Sequence, residues 1–140
     1  MNILPTSPGS VTAFQSSDVV STRQPGFTYK LNVERERILG YTDKLDAYRQ
    51  AVYKILNTER YEYVIYSWNY GVEFQELIGK PIYYVIPEIE RRITEALMQD
   101  DRTVAVGGFE FDTSKRGIVH VTFTAVSIYG EEKIETKVEY

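Results

Sequence analysis

The sequence predicts an α+β fold in which two or three helices pack on a small antiparallel C-terminal sheet, preceded by an extended N-terminal arm. Apolar residues recur at helical spacing between about residues 43 and 98, and they alternate with polar residues from residue 103 onward. Helices followed by a run of strands are typical of α+β domains rather than of parallel α/β folds. The chain therefore divides into an arm over residues 1–26 and one α+β domain over residues 27–140.

The arm is predicted from composition. Residues 1–26 are rich in Ser, Thr, Pro and Gly, so on their own they bury too little apolar area to offset the entropy of ordering them. Four isolated apolar residues are candidates for holding the segment against a partner: Val11, Phe14, Val19 and Val20. A disordered tail is the alternative interpretation.

A strand, a turn and a helix are expected to open the domain. Residues Phe27 to Asn32 alternate between apolar and polar, which predicts a half-buried strand, and Ile38-Leu39-Gly40 is expected to form a turn. Thr42 or Asp43 would make a suitable N-cap for a helix over about residues 43–57. The apolar face of that helix consists of Leu45, Tyr48, Val52, Ile55 and Leu56.

A second helical region follows. Val72 to Ile78 is expected to form a short helix that ends at Gly79. Helical spacing of apolar residues then continues from Ile82 to Leu97, with Pro87 inside the segment. Because proline removes one backbone donor and clashes with the preceding turn, the pattern predicts either one helix kinked at Pro87 or two helices that meet there.

The last third of the chain predicts strands. Thr103 to Asp112 contains Gly107-Gly108, which indicates a bulge, and Ile118 to Tyr129 alternates regularly. A tight turn at Gly130-Glu131 is expected before a final strand from Lys133 to Tyr140. Alternating charges on that final strand are typical of a protected sheet edge, although the same edge could be reserved for a partner that adds a strand. The pattern alone favours protection.

Composition excludes several classes of function. The net charge of −4 argues against a nucleic-acid partner, the absence of cysteine excludes disulfides and thiolate chemistry, and a single histidine excludes a histidine-rich metal centre. No apolar run approaches the ~20 residues of a membrane helix, and the first ten residues do not resemble a signal peptide. We therefore expect a protein made in the cytoplasm, with no membrane partner, metal or cofactor.

Catalytic signals are weak. The carboxylates of Glu59, Glu62, Glu73 and Glu76 suggest the acid pair of a glycosidase, but a chain with 20 acidic residues contains such pairs by chance, so surface charge is the preferred interpretation. His120 falls within a predicted strand and has no evident catalytic partner nearby in sequence. No catalytic residue is assigned.

An aromatic segment follows the first helix. Tyr61, Tyr63, Tyr66, Trp68 and Tyr70 lie within ten positions, which predicts a contact surface for another protein. The charged groups Glu59-Arg60 and Asp100-Asp101-Arg102 each lie where a helix is expected to end. They are interpreted either as caps with surface ion pairs or as one shared polar site with bidentate arginine–carboxylate pairs.

Two blocks of the sequence resemble the baseplate wedge and sheath-initiator family of contractile phage tails, a family also described as lysozyme-like. The blocks are QAVYKILNTERYEYVIYSWNYGVEF (residues 50–74) and IERRITEALMQDDRTVAV (residues 89–106), followed by a pair of strands. The resemblance extends from about Phe27 to Tyr140. The chain is similar to the short tail proteins of PBSX-type prophages and of diffocins, and more distantly to the wedge subunit of type VI secretion systems.

The resemblance implies two contact sites. The family's turn after the first helix, its aromatic-Gly step and its Glu-Pro-Arg signature correspond to a wedge-binding set of Glu59, Arg60, Tyr70, Gly71, Asp100, Asp101 and Arg102. In this chain the signature keeps its Arg, replaces Glu by Asp and lacks the Pro. The terminal strands resemble the strand-exchange region of the sheath subunit, which implies a sheath-binding set of Val119, Val121, Phe123, Lys133, Ile134, Thr136 and Val138.

The implied function is that of a structural baseplate component of a phage or phage-like particle, which binds wedge proteins and templates sheath assembly by strand addition. Its implied partners are the tail sheath protein, the baseplate wedge proteins and tail tube or hub proteins, with about six copies around the tail axis. Two alternatives remain open at this stage. They are a small hydrolase of cell-wall glycan and a generic cytoplasmic adaptor that uses the same tyrosine-rich surface.

Overall fold

The computed structural model describes residues 26–140, and within this range the fold is α+β with a C-terminal antiparallel sheet, as predicted. Of the predicted arm, residues 1–25 lie outside the described residues. The elements in chain order are β1 (Thr28–Asn32), β2 (Arg37–Thr42), α1 (Lys44–Leu56), α2 (Ile82–Met98), β3 (Thr103–Asp112), β4 (Ile118–Ser127) and β5 (Gly130–Glu139), with a short 3-10 turn at Gln75–Leu77 before α2.

Strands β1 and β2 form an antiparallel hairpin. The turn predicted at Ile38-Leu39-Gly40 is wrong, because these residues lie within β2. The chain reverses earlier, at residues 33–36, where the Asn32 side-chain oxygen accepts a hydrogen bond of 2.9 Å from the backbone N–H of Arg35. Gly40 adopts φ +71° inside a ladder whose register shifts, so this glycine accommodates an irregularity in the strand rather than its end.

One side chain joins the hairpin to α1. The Gln50 side-chain oxygen accepts a hydrogen bond from the backbone N–H of Leu31, and its amide nitrogen donates to the backbone carbonyl of Tyr29, both at 2.8 Å. The carboxamide thus satisfies two backbone groups on the edge of β1 that faces away from β2.

Helix α1 begins as predicted. The carboxylate of Asp43, the N-cap, accepts a hydrogen bond of 2.7 Å from the backbone N–H of Lys44. At the other end, the hydroxyl of Thr58 donates to the carbonyl of Lys54, and the Asn57 amide donates to the carbonyl of Tyr53. The predicted apolar face points into the core, where Tyr48 and Val52 are almost fully buried.

Helix α2 passes through Pro87 as a single helix, so the predicted alternative of two helices that meet at Pro87 is wrong. The helix predicted over residues 72–78 is reduced to the 3-10 turn Gln75–Leu77, which ends before Gly79 at φ +81°. Gly79 therefore ends this turn in the left-handed conformation that glycine favours.

The C-terminal sheet has the order β3-β4-β5, so β4 is central and β5 lies at an edge. The register of β3 against β4 shifts between Gly107 and Glu110, which confirms the predicted bulge. The turn predicted at Gly130-Glu131 is wrong by two residues, because Gly130 already pairs with Ser127 and the loop is formed by residues 128–129. The Ser127 hydroxyl closes that loop by donating to the Gly130 carbonyl and accepting from the N–H of Tyr129.

The core lies where the two helices pack on the inner face of the C-terminal sheet. Its members come from α1, α2, β4 and β5 together with Val72 and Leu77 from the connecting segment. Alternate residues of β4 are buried, and Val119, Val121, Phe123 and Ala125 contribute their side chains to this core. The connecting segment between α1 and α2 is therefore fixed to the same core at two points.

A candidate contact site at the helix corner

The segment between α1 and α2 carries an exposed loop, residues Tyr61–Tyr70, called here the aromatic loop. Its base is closed by backbone hydrogen bonds from Arg60 N to Val72 O (3.2 Å) and from Val72 N to Thr58 O (3.0 Å). Gly71 sits in this closure at φ +96°, and a Cβ atom there would lie 2.5 Å from the Thr58 carbonyl oxygen. The site accepts only glycine without a shift of the backbone.

Glu59 is used inside the fold. Its two carboxylate oxygens accept hydrogen bonds from the backbone N–H groups of Phe74 (3.1 Å) and Gln75 (3.2 Å). The carboxylate thereby fixes the start of the connecting segment, where Glu59 lies, to the 3-10 turn at Gln75–Leu77. Within the described residues, the role of Glu59 is to shape the corner, meaning the region where the segment between α1 and α2 meets the end of α2.

Arg60 is also directed inward. Its side chain is only 9% exposed, and its Nη1 donates to Glu95 of α2 at 3.0 Å. Burial works against the charged form, but the hydrogen bond from the guanidinium to Glu95 and the nearby Glu73 carboxylate outweigh it and raise the pKa of Arg60. Its buried Nε has no hydrogen-bond partner among the described residues.

Arg92 is a buried residue of the site that the sequence analysis missed. Its side chain is 8% exposed, and its guanidinium donates to Glu88, to Glu76 and to the backbone carbonyl of Glu73. The available signal was its position on α2, where it falls on the same face as Ile89 and Ala96. A charged residue on an apolar stripe indicates a buried ion pair, as found here.

Arg60 and Arg92 belong to one ion-pair ring that ties the connecting segment to α2. The ring runs in order through Arg60, Glu95, Arg91, Glu88, Arg92 and Glu73 and returns to Arg60, with nitrogen–oxygen distances of 3.0, 3.0, 2.9, 3.0, 3.8 and 4.0 Å. The guanidinium groups of Arg91 and Arg92 lower the pKa of Glu88 to about 2. Each carboxylate in the ring contacts two arginines. Its side chain is therefore held more firmly than it would be in an isolated surface ion pair.

A second polar cluster lies at the end of α2. Arg102 donates from Nε and Nη2 to the two oxygens of Asp100 at 2.9 and 2.7 Å, a bidentate pair whose side chains are 11% and 12% exposed. The guanidinium carbon lies 5.8 Å from the centre of the Tyr48 ring, and the Tyr48 hydroxyl forms a hydrogen bond of 2.9 Å with Thr103. The cluster therefore joins α2, β3 and α1.

Burial and hydrogen bonding compete at this cluster. Burial opposes ionisation of Asp100, but hydrogen bonds from the Arg102 side chain and backbone outweigh it, so the pKa of Asp100 is lowered. Burial raises the pKa of Tyr48, which stays a neutral hydrogen-bonding group. Asp100 is accordingly held as an anion beside its cation.

A cavity of about 450 Å³ brings the two ends of the site together. Its lining includes five of the seven residues of the predicted wedge-binding set, namely Tyr70, Gly71, Asp100, Asp101 and Arg102. Glu59 and Arg60 do not line it, but they hold the backbone that closes on Gly71. A bidentate pair of the expected kind forms between Arg102 and Asp100. Arg60 pairs instead with Glu95 of α2, so the two charged groups make separate ion pairs.

The predicted sheath-binding set divides between the core and an open edge. Val119, Val121 and Phe123 lie on the central strand with fully buried side chains, and Val138 is buried on β5. Lys133 is exposed, while Ile134 and Thr136 are partly buried. Among the described strands, β5 pairs only with β4, so its outer edge carries backbone groups that no strand within residues 26–140 uses.

The ladder fixes which β5 residues face that edge. Tyr140 N–H donates to Gly117 O at 3.0 Å, which marks a hydrogen-bonded pair of the β4–β5 ladder. Because such pairs alternate along antiparallel strands, the backbone groups of the odd-numbered residues point outward. These residues are Glu131, Lys133, Glu135, Lys137 and Glu139.

The arrangement offers contact surfaces more readily than catalytic chemistry. Among residues 26–140, no cluster of His, Asp and Glu has the composition and geometry to hold a metal ion. The carboxylates weighed as glycosidase candidates are bound internally: Glu59 to backbone N–H groups, Glu76 to Arg92, and Glu62 to the Gln75 amide. Over the same range, no helix combines the length and apolar character needed to cross a membrane.

Comparison with known proteins identifies the family. Residues 12–130 match the family model described as contractile injection system sheath initiator, so the match begins earlier than the resemblance near Phe27 implied. The chain is 42% identical over 124 residues to the phage-like element PBSX protein XkdS of Bacillus subtilis (strain 168), an alignment that covers 85% of this chain and 84% of that protein. The resemblance seen in the sequence is confirmed, and the chain belongs to the sheath initiator family of contractile injection systems.

Proposed function

We propose that this protein is a non-enzymatic component of a contractile tail baseplate, which binds wedge proteins at its helix corner and starts sheath assembly at its β5 edge. Family membership supports a structural role in a contractile particle. The single observation that carries the finer proposal is the β5 edge, with which no other strand of residues 26–140 pairs and which leaves five outward-facing residues available for strand addition.

The β5 edge suits one specific partner better than many. All five outward-facing residues are Glu or Lys in strict alternation, from Glu131 to Glu139. Charged side chains on an edge discourage pairing with unrelated strands, and a strand with the complementary alternation would gain cross-strand ion pairs. A tail sheath strand of that pattern is the proposed partner. Of the predicted sheath-binding set, Lys133 lies on the edge itself, and the buried residues support the sheet behind it.

The helix corner is the proposed wedge-binding site. Glu59, Arg60, Asp100 and Arg102 all bind other groups of this chain, so we assign them the task of shaping the surface. The surface itself consists of the cavity beside Tyr70 and the aromatic loop above it. A cyclic arrangement of about six copies around the tail axis would place one corner against each wedge.

The test removes one outward-facing donor from the β5 edge. Glu135→Pro deletes an N–H that β4 does not use, and proline is tolerated at strand edges of this kind. We expect particles carrying only this variant to assemble baseplates but to lack an ordered sheath by electron microscopy, while Glu135→Ala particles are sheathed normally. Circular dichroism of both purified variants checks that the fold is kept. Normal sheaths on folded Glu135→Pro particles would contradict strand addition at this edge.

A further inference from the structure

The tip of the aromatic loop presents adjacent apolar side chains to solvent. Val64 is fully exposed, Ile65 is 84% exposed and Trp68 is 82% exposed. Single exposed apolar residues are ordinary, but a contiguous group at the end of a projecting loop indicates a contact surface. None of these three residues belongs to the wedge-binding set predicted from sequence.

The loop is braced by its own rings. Tyr66 stacks on Tyr70 with ring centres 4.4 Å apart, Tyr63 meets Tyr66 edge-on at 6.1 Å, and Tyr61 meets Trp68 edge-on at 6.4 Å. Tyr70 packs against the core, which fixes one end of this ring set. A preorganised loop loses little conformational entropy when it binds, which favours a binding role for its tip.

The segment that carries the tip is acidic. Between residues 61 and 79 the chain contains Glu62, Glu73 and Glu76 and no Lys or Arg. Arg92, which pairs with Glu73 and Glu76, has a side chain only 8% exposed, whereas that of Glu76 is 67% exposed. The charge that residues 61–79 present to solvent is therefore negative. This disfavours an anionic lipid surface and favours a protein pocket bordered by cations.

We propose that Val64 and Ile65 form an apolar plug that enters a hydrophobic pocket, rimmed by lysine or arginine, on another baseplate protein. The surrounding Tyr and Trp rings seal the contact from water, as the residues around an interface hot spot do. The inference rests on the proposed function, because it assigns to the aromatic loop the attachment that wedge binding requires.

A competition experiment tests the plug in assembled particles. Tagged Val64→Ser/Ile65→Ser protein is co-expressed with the wild type in cells that produce the particles, and the ratio of the two forms is measured in purified particles. We expect the variant to be incorporated at least about tenfold less than wild type, since removing a buried apolar anchor weakens binding by that order. A matched control, Ile38→Ser/Val104→Ser, changes two exposed aliphatic residues outside the loop and should be incorporated normally.

Equal incorporation of the plug variant and the wild type, or equal loss in the control, would overturn the proposal. Both outcomes are judged on variants whose melting temperatures match the wild type. Failure of the wider function is recognised separately, because particles made without this chain would then carry normal sheaths. If the chain is required and the plug variant is still incorporated normally, the plug alone is refuted.

A photo-cross-linking amino acid in place of Ile65 identifies the occupant of the contact. In assembled particles we expect one adduct with a different baseplate protein, mapped to apolar residues that have Lys or Arg neighbours. An adduct with a second copy of this chain, with lipid, or no adduct above that seen with the same group at position 104 would overturn the proposal. Flotation of the purified chain with phosphatidylglycerol vesicles should show no binding, and binding lost in the plug variant would favour a membrane surface instead.

Discussion

Replacing Gly71 with alanine tests how the aromatic loop is attached to the core. The added Cβ would lie 2.5 Å from the Thr58 carbonyl oxygen and 3.1 Å from the Arg60 nitrogen, both backbone atoms of the bridge that closes the loop. The glycine also has φ +96°, which alanine adopts at a cost of about 1–2 kcal/mol. Movement of the bridge adds the loss of backbone hydrogen bonds worth about 1 kcal/mol each. The expected loss in unfolding free energy is therefore about 2–4 kcal/mol.

Two glycines of the same chain separate these contributions. Gly40 has φ +71° with open space around its Cα, so alanine there introduces backbone strain without a clash. Gly107 has open space and no positive φ, so alanine there should change stability little. Unfolding free energies from urea titration should therefore fall in the order Gly107→Ala, Gly40→Ala, Gly71→Ala. The reasoning would be refuted if Gly71→Ala were no more destabilising than Gly40→Ala.

Three further measurements probe the polar contacts. Tyr48→Phe removes the hydrogen bond to Thr103 and should lower the unfolding free energy by about 1 kcal/mol in urea titration; an unchanged value would show that this bond contributes nothing net. Arg92→Met leaves its carboxylate and carbonyl partners unsatisfied and should cost about 2 kcal/mol, and more proteolysis within residues 61–79 than in wild type would locate the damage. Because the pKa of Asp100 is lower in the folded chain, its ionised form stabilises the fold above pH of about 4, and this contribution is lost as pH falls through the folded pKa. Asp100→Asn should flatten the acid side of the stability profile, and an unchanged profile would exclude the Arg102 pair as its source.

Periodicity predicted the helices and the main strands well because both are determined by which face is buried. The apolar residues of α1 and the alternation of β4 each specify one face, and the structure buries those faces. Apart from the helix expected over residues 72–78, which is only a 3-10 turn, the errors fell at turns between strands. Gly40 and Gly130 both read as chain reversals, yet both lie within paired strands, because the turns are closed by the side chains of Asn32 and Ser127.

The sequence indicated which residues lie near one another at the candidate site but not which charges pair, and its role in binding wedge proteins stays a prediction. Spacing along the chain drew attention to the segments that follow α1 and α2. In the structure, Tyr70 from the first segment and residues 100–102 from the second line the same cavity. Which charges meet is set by the angle at which α2 crosses the connecting segment, and no local pattern contains that angle. The helical spacing could have indicated that Arg92 is buried, but not its partners Glu73 and Glu76, which lie 19 and 16 residues away.

The carboxamide of Gln50 has a consequence for how the N-terminal hairpin can grow. By bonding to Tyr29 and Leu31, it behaves as a strand one residue long and occupies the side of β1 that faces α1. A third strand can therefore be added to this hairpin only along the side of β2 that faces away from β1. Exchange of Gln50 for alanine would open the blocked side and give the hairpin a second template for self-association, which a rise in sedimentation mass with protein concentration would reveal.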